Sequence, residues 1–345
     1  MSTLRIGSLQ WDWDKVLNRL ILFVTIGVLA NLAFSFWITD GHISWEQLKF
    51  HPAYFLLALL LALVPWLTHG FRLLLWAKLL RHQLSLRQAV QIAVLTDVGS
   101  VVTPTIVGGA PIKIGMLKKH GFHSGEAGIL IAIASLEDII FFVLVGISSL
   151  LYASPVQQSM WMPVWEGILK KGHLLPYLMV GLGVWTFSYQ VWLKKMSFWK
   201  KWQKKLRRLW METRVVLRFI YRKGWKTFLL SAFTNCLQWS CRFMVLLTLI
   251  KSIGIEANYL ELFFMQWMVY LAMAFVPTPG ASGGAEAAFY FVYKSILPES
   301  LLGIVVAGWR IITYYYILLL GVVLLQIGRL LQSSLRKKEA VTNRL

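Results

Sequence analysis

Apolar runs long enough to cross a bilayer recur along the chain, separated by short polar and basic stretches. Residues 17–38, 53–77, 125–152, 174–193, 227–250 and 299–327 are such runs, and a span needs about 20 predominantly apolar residues. The run at 17–38 is longer than the apolar region of about 7–15 residues in a secretory signal, so it reads as an uncleaved span. Two further segments differ. Residues 88–119 are weakly apolar, carry Asp97, break at Thr103-Pro104-Thr105 and Gly108-Gly109, and resume with Lys113, Lys118 and Lys119. Residues 259–297 run apolar to Val276, break at Pro277-Thr278-Pro279-Gly280 and Gly283-Gly284, and return to an apolar stretch. The pattern predicts an all-α polytopic membrane protein with six full spans and two interrupted hairpins.

Composition agrees. Apolar residues make up 57% of the chain and charged residues 14%, against about 45–50% and about 25% in soluble domains. The formal charge is +20, which in a soluble protein would raise nucleic acid as a partner. Here the basic residues lie between spans, so no nucleic-acid partner is expected. With the N-terminus in the cytoplasm, the inside stretches hold 26 Lys/Arg against five outside. That asymmetry sets both termini inside, provided that 88–119 returns to the cytoplasmic face and 259–297 to the outer face. Both therefore read as re-entrant hairpins, with two crossing helices in each as the alternative. Cys236 and Cys241 share one apolar stretch and imply no disulfide framework.

The two hairpins align with each other. TPTIVGGAPIK at 103–113 and PTPGASGGAEA at 277–287 match at an offset of 175, with Pro104 over Pro279 and Gly108-Gly109 over Gly283-Gly284. The preceding spans match near 170, placing Arg72 over Arg242, and the following spans near 173, placing Glu137 over Arg310. Span–hairpin–span thus occurs twice within a single membrane domain, 1–345. Repeat 1 is 53–152 with hairpin 88–119; repeat 2 is 227–327 with hairpin 259–297, in the opposite orientation. The remainder is the first span, a linking span at 174–193, a basic cytoplasmic segment at 194–226 and a basic tail at 328–345. Inverted repeats place a site near the bilayer midplane at their interface. The tips, Thr103, Pro104, Gly108 and Gly109 with Pro277, Pro279, Gly280, Gly283 and Gly284, are expected to meet there.

Ionisable side chains inside spans cost about 2.5–3.5 kcal/mol at a helix centre on insertion scales, so each needs a partner or a wet face. The deep set is Arg72, Asp97, Glu137, Asp138, Arg242, Glu286 and Arg310. They are either structural ion pairs or the lining of a hydrated path. Ser231, Asn235, Gln238 and Arg242 fall on one helical face, and His69 joins Arg72 on the matching face of the earlier span. A guanidinium can hold a phosphate bidentately. Arg72, Arg242 and Arg310 are therefore the headgroup candidates, with Asn235, Gln238 and Lys113 beside them. Asp97, Glu137, Asp138 and Glu286 are the candidate charge partners or gates; Glu286 could equally cap the half-helix that follows Gly284. Arg310 is expected to contact Glu286, Glu137 or Asp138. Segment 194–226, with thirteen Lys/Arg among Trp199, Trp202, Trp210 and Trp225, is an interfacial amphipathic helix or simply a topology signal. The seven histidines show no metal-ligand spacing, and neither a Walker motif nor a nucleophile–base signature is present. No catalytic residue, metal or cofactor is expected.

Arg72…Trp76, the 103–120 segment, Glu137-Asp138, PTPGASGGAEA and Arg310 together resemble the lysylphosphatidylglycerol synthase transmembrane (flippase) domain family over about 15–330. The proline/glycine–Glu motif followed by an intramembrane Arg is the most specific part. The first hairpin departs from the pattern, with Pro111 and Lys113 where relatives often place an acid. The resemblance implies lipid handling by a stand-alone member without the aminoacyltransferase domain, in the cytoplasmic (inner) membrane of a prokaryote. Three functions stay open. The first is a flippase moving an anionic, phosphate-bearing phospholipid or polyprenyl-linked lipid through a groove between the repeats. The second is an intramembrane enzyme acting on a lipid carrier. The third is a non-catalytic subunit of a lipid or glycan biosynthesis complex. The partners that follow are an anionic membrane lipid, and a second copy of the chain or a membrane biosynthetic enzyme.

Overall fold

The computed structural model describes residues 3–6, 9–12, 49–102, 109–152, 214–276, 278–294, 296–324 and 326. The expected spans 17–38 and 174–193, tip residues Thr103, Pro104, Gly108 and Pro277, segment 194–213 and the tail 328–345 lie outside them. Within the described residues the fold is helical apart from one short antiparallel hairpin. Its strands, β1 (Thr3–Ile6) and β2 (Leu9–Asp12), pair Leu4 with Trp11 and Ile6 with Leu9. The alternation of apolar and polar residues suits a strand, a signal too short to register beside the spans.

The helices are α1 (Pro52–Leu79), α2 (Leu86–Val102), α3 (Gly109–Lys119), α4 (Ser124–Tyr152), α5 (Trp225–Ser252), α6 (Tyr259–Met273), α7 (Gly284–Tyr293) and α8 (Glu299–Arg310). A wide turn, Ile311–Tyr316, follows α8 with i→i+5 bonding, and the helix then continues. Among the described residues four helices are long and apolar enough to cross a membrane: Pro52–Leu79, Ser124–Tyr152, Arg214–Ser252 and Ser300–Leu324. The fifth expected span starts earlier than its sequence bounds. The described part of the basic segment, from Arg214, is already helical and runs into α5. Lys and Arg are good helix formers, so polarity marks where a span leaves the bilayer rather than where its helix begins.

Side chains set the helix starts. Pro52 occupies the first turn of α1, where its missing N–H is no loss. Before α2, Ser85 and Gln88 cap each other reciprocally at 2.9 and 3.3 Å. Asn258 caps α6 by accepting from the Glu261 N–H. Packing divides the chain into two units, Met1–Ser148 with Leu229–Leu345, and Ser149–Phe228. Of the second unit the described residues are helical; every contact below lies within the first.

Two helix pairs stand apart. α2 and α3 pack on each other, as do α6 and α7. α3 has 11 residues and α7 has 10, about 15–17 Å each at 1.5 Å per residue, roughly half of a hydrocarbon core of about 30 Å. Tyr293 Oη, 2.9 Å from Gln266 Oε1, pins α7 to α6. α2 touches the tight turn Pro279–Ala281 ahead of α7. Trp66 of α1 packs with Val94 and Val98 of α2 and with Leu318 of the last helix. On α4, Ile139, Val143, Ile147 and Leu150 are exposed at spacings of four, four and three, an outward apolar face suited to lipid. The charged residues turn inward.

Candidate functional site

The inward faces of α1 and α5 meet along a ladder of polar side chains. Ser231, Asn235 and Gln238 fall on one stripe of α5, and Thr68, Arg72 and Trp76 on one stripe of α1. Trp76 Nε1–H donates to Ser231 Oγ at 3.0 Å. Arg72 donates to Asn235 Oδ1 and to Gln238 Oε1, the latter at 3.3 Å. Thr68 Oγ1 lies 3.2 Å from Gln238 Oε1. As the residue number rises on α1 it falls on α5, so the helices run antiparallel. Arg72 also forms an ion pair with Glu137 of α4. All these groups are buried, and their pairing offsets much of the cost of placing them in an apolar bundle, although Arg72 Nε, Glu137 Oε1 and Asn235 Nδ2 have no partner among the described residues.

A second cluster sits at the turn before α7. Gly280 (φ +60°) and Gly283 (φ +82°) are left-handed, a region glycine enters without steric cost. A Cβ at Gly280 would overlap the Tyr314 ring. Glu286, in the first turn of α7, accepts the Gly283 N–H at 2.7 Å. Its other oxygen accepts from Arg310 Nε, also at 2.7 Å. Arg310 Nη2 donates to the Gly280 carbonyl at 3.0 Å, and the Tyr314 ring lies 5.0 Å from the guanidinium. Glu286 is therefore helix cap and arginine partner at once. Of the three acids expected near Arg310, the structure brings Glu286; Glu137 goes to Arg72.

Between these clusters lies a cavity of about 150 Å³. Pro65 and Trp66 of α1, Asp97 of α2, Arg242 of α5, Tyr270 of α6 and Tyr314 line it. Asp97 accepts from the Trp66 indole at 2.9 Å, and Asp138 from the Trp239 indole at 2.8 Å. The Arg242 guanidinium stacks 5.2 Å from the Trp239 ring. Its buried Nε has no hydrogen-bond partner, and among the described residues no carboxylate lies within ion-pairing distance of it. Among the described residues Arg72 and Arg310 are each paired with a carboxylate and Arg242 is not.

Lys113 is elsewhere. It is 6% exposed, and its Nζ sits 2.9 Å from His69 Nε2. Both line a separate, smaller cavity with Arg72 and Glu137. The structure thus gathers Arg72, Glu137, Asn235 and Gln238 into one network and Arg310, Glu286, Gly280 and Gly283 into another. Arg242 and Asp97 face one cavity, and Asp138 is held at Trp239. Gly109 opens α3 against Thr96 of α2, with a Cβ there meeting the Thr96 carbonyl at 2.9 Å. The indole partners Trp66 and Trp239 went unassigned in the sequence. Both lie mid-span, away from the interfacial belts tryptophan favours, and a buried indole N–H needs an acceptor; that was the signal.

Two comparisons place the chain among known proteins. The model of the lysylphosphatidylglycerol synthase TM region matches residues 20–321. A UPF0104 membrane protein of Archaeoglobus fulgidus is 22% identical over 317 residues, covering 86% of this chain and 94% of the relative. With most of its length matched, this integral membrane protein belongs to the lysylphosphatidylglycerol synthase TM region family.

Proposed function

We propose that the protein is a lipid transporter that passes an anionic, phosphate-bearing headgroup between leaflets through the Arg242 cavity, at the interface of two inverted repeats. The observation that carries this reading is Arg242: a deep guanidinium beside a cavity, with no acid paired to it. Arg242 is half-buried, with its Nε buried and unpaired; a cation held in an apolar bundle without a carboxylate is costly, and an anion that visits the cavity offsets that cost. A phosphate held there would reach Arg310 and compete with Glu286 for it once the Tyr314 ring, which covers the guanidinium and lines the cavity, turns aside. The acyl or prenyl tails would stay in the bilayer.

The pair Thr68–Gln238 supports the inverted repeat. These residues are 170 apart, the same offset that relates their two spans in the sequence. A two-fold axis in the membrane plane brings equivalent residues together only where it passes, and here equivalents touch at the centre of an antiparallel crossing. The short α3 and α7 suit hairpins that enter from opposite faces and turn back. In this arrangement both termini are cytoplasmic and six spans cross the inner membrane of a prokaryote. The test is reconstitution into vesicles with leaflet-resolved labelled lipid and mass spectrometry of the lipid afterwards. Exchange with chemically unchanged lipid supports transport; a modified lipid would make the protein an enzyme, and neither would point to a subunit role.

A further inference from the structure

We infer that the first half of the molecule carries a proton site made of Lys113, His69 and Glu137, and that lipid movement is coupled to a proton through it. The inference rests on the transport reading and names its energy source.

The geometry is unusual for a lysine. Lys113 of α3 is buried, and its Nζ meets one imidazole nitrogen of His69 on α1 at 2.9 Å. Among the described residues the ion pairs are Arg72–Glu137, Arg310–Glu286 and those of His82 and His123 with Glu126; none includes Lys113. An ammonium can donate to that nitrogen only while the nitrogen carries no proton. A second proton would set two cations side by side next to Arg72. The pair therefore holds one positive charge that either partner can carry, a reservoir of a single transferable proton.

The cavity beside it provides the next step. It measures about 20 Å³ and is lined by His69, Arg72, Trp76, Lys113 and Glu137 among others, room for about one water. Two buried polar atoms on its lining residues, Glu137 Oε1 and Arg72 Nε, have no hydrogen-bond partner in the protein. A water there accepts from Lys113 and donates to Glu137. The Lys113 ammonium gives its proton to that water as the water gives its own to Glu137, and the amine–imidazole pair is reloaded from bulk water. The other charged groups within electrostatic range are Arg72 on α1, Asp97 on α2, Asp138 on α4 and Arg242 on α5. The two arginines stay charged, and neither Asp97 nor Asp138 lines this cavity while Glu137 does, which leaves Glu137 as the acid facing the relay. Protonating Glu137 removes the charge that holds Arg72 and frees a guanidinium for the headgroup; the cycle closes when Glu137 gives that proton to water on the opposite face and pairs with Arg72 again.

The second half has no counterpart. At the repeat offsets His69 falls on Trp239, Lys113 on Ala288 and Glu137 on Arg310. One half carries exchangeable protons and the other a fixed cation.

The experiment uses the full chain in phosphatidylcholine vesicles with NBD-labelled phosphatidylglycerol, at imposed pH gradients of either sign and with the membrane potential clamped. With one proton per lipid, the steady-state ratio of label between leaflets shifts about tenfold per pH unit and reverses with the gradient. In His69→Gln the label equilibrates evenly whatever the gradient. Wild-type exchange that ignores the gradient would overturn the coupling and leave the transport reading standing. No wild-type exchange would overturn both. A folded His69→Gln protein whose label still follows the gradient would likewise overturn the relay.

Discussion

Arg310 is held from three sides, by the Glu286 carboxylate, the Gly280 carbonyl and the Tyr314 ring. Arg310→Ala leaves Glu286 buried without its counter-ion, a loss of about 3–5 kcal/mol, and melting in detergent should fall accordingly. Arg310→Lys keeps the charge and loses the planar fork, so it should recover much of the melting temperature and little of the lipid exchange. Equal recovery of both would make the pair structural. Gly280→Ala should destabilise by about 1–3 kcal/mol, the usual cost of overpacking, because its Cβ would enter the Tyr314 ring. Adding Tyr314→Ala should return part of that loss. The deep charges themselves were legible in the sequence, since an ionisable residue inside an apolar run is conspicuous. Their partners were not. Whether Glu137 meets Arg72 or Arg310 depends on how α4 is rotated, which no spacing along the chain specifies.

Helix bounds were readable because apolar length and Pro/Gly breaks are local signals, and α1, α4 and the α6–α7 break fall within a few residues of them. Two features were not readable. The helix that becomes α5 already exists at Arg214, and the wide turn at Ile311–Tyr316 has no reliable sequence mark. Such turns cluster at functional sites, and this one sets Tyr314 between Arg310 and the cavity. The antiparallel crossing of α1 and α5 can be tested directly. Thr68→Cys with Gln238→Cys should cross-link under mild oxidation, because these side chains already touch. Leu57→Cys with Gln238→Cys should not, as Leu57 is an exposed residue about three turns away from Thr68 on α1. Cross-linking of both pairs to the same extent would show that the helices slide past one another.

For the whole molecule, the proposed orientation rests on the charge asymmetry, and the packing says which ends lie together. Lys49 and His51 hydrogen-bond to Ile253 and Ser252, while His82 bonds to Glu126 near the opposite ends of α1 and α4. A cysteine at Glu256 should therefore react with an impermeant thiol reagent from outside, and one at Lys118 only from the cytoplasm; the reverse pattern would invert the topology. The central claim is that the cavity around Arg242 carries an anionic headgroup. Its most direct test is leaflet exchange of labelled phosphatidylglycerol by reconstituted Arg242→Ala beside wild type, both checked for folding. Losing a charge-assisted contact worth about 1.5–3 kcal/mol should slow exchange about 10- to 100-fold. A folded Arg242→Ala protein that exchanges lipid at the wild-type rate would contradict the claim.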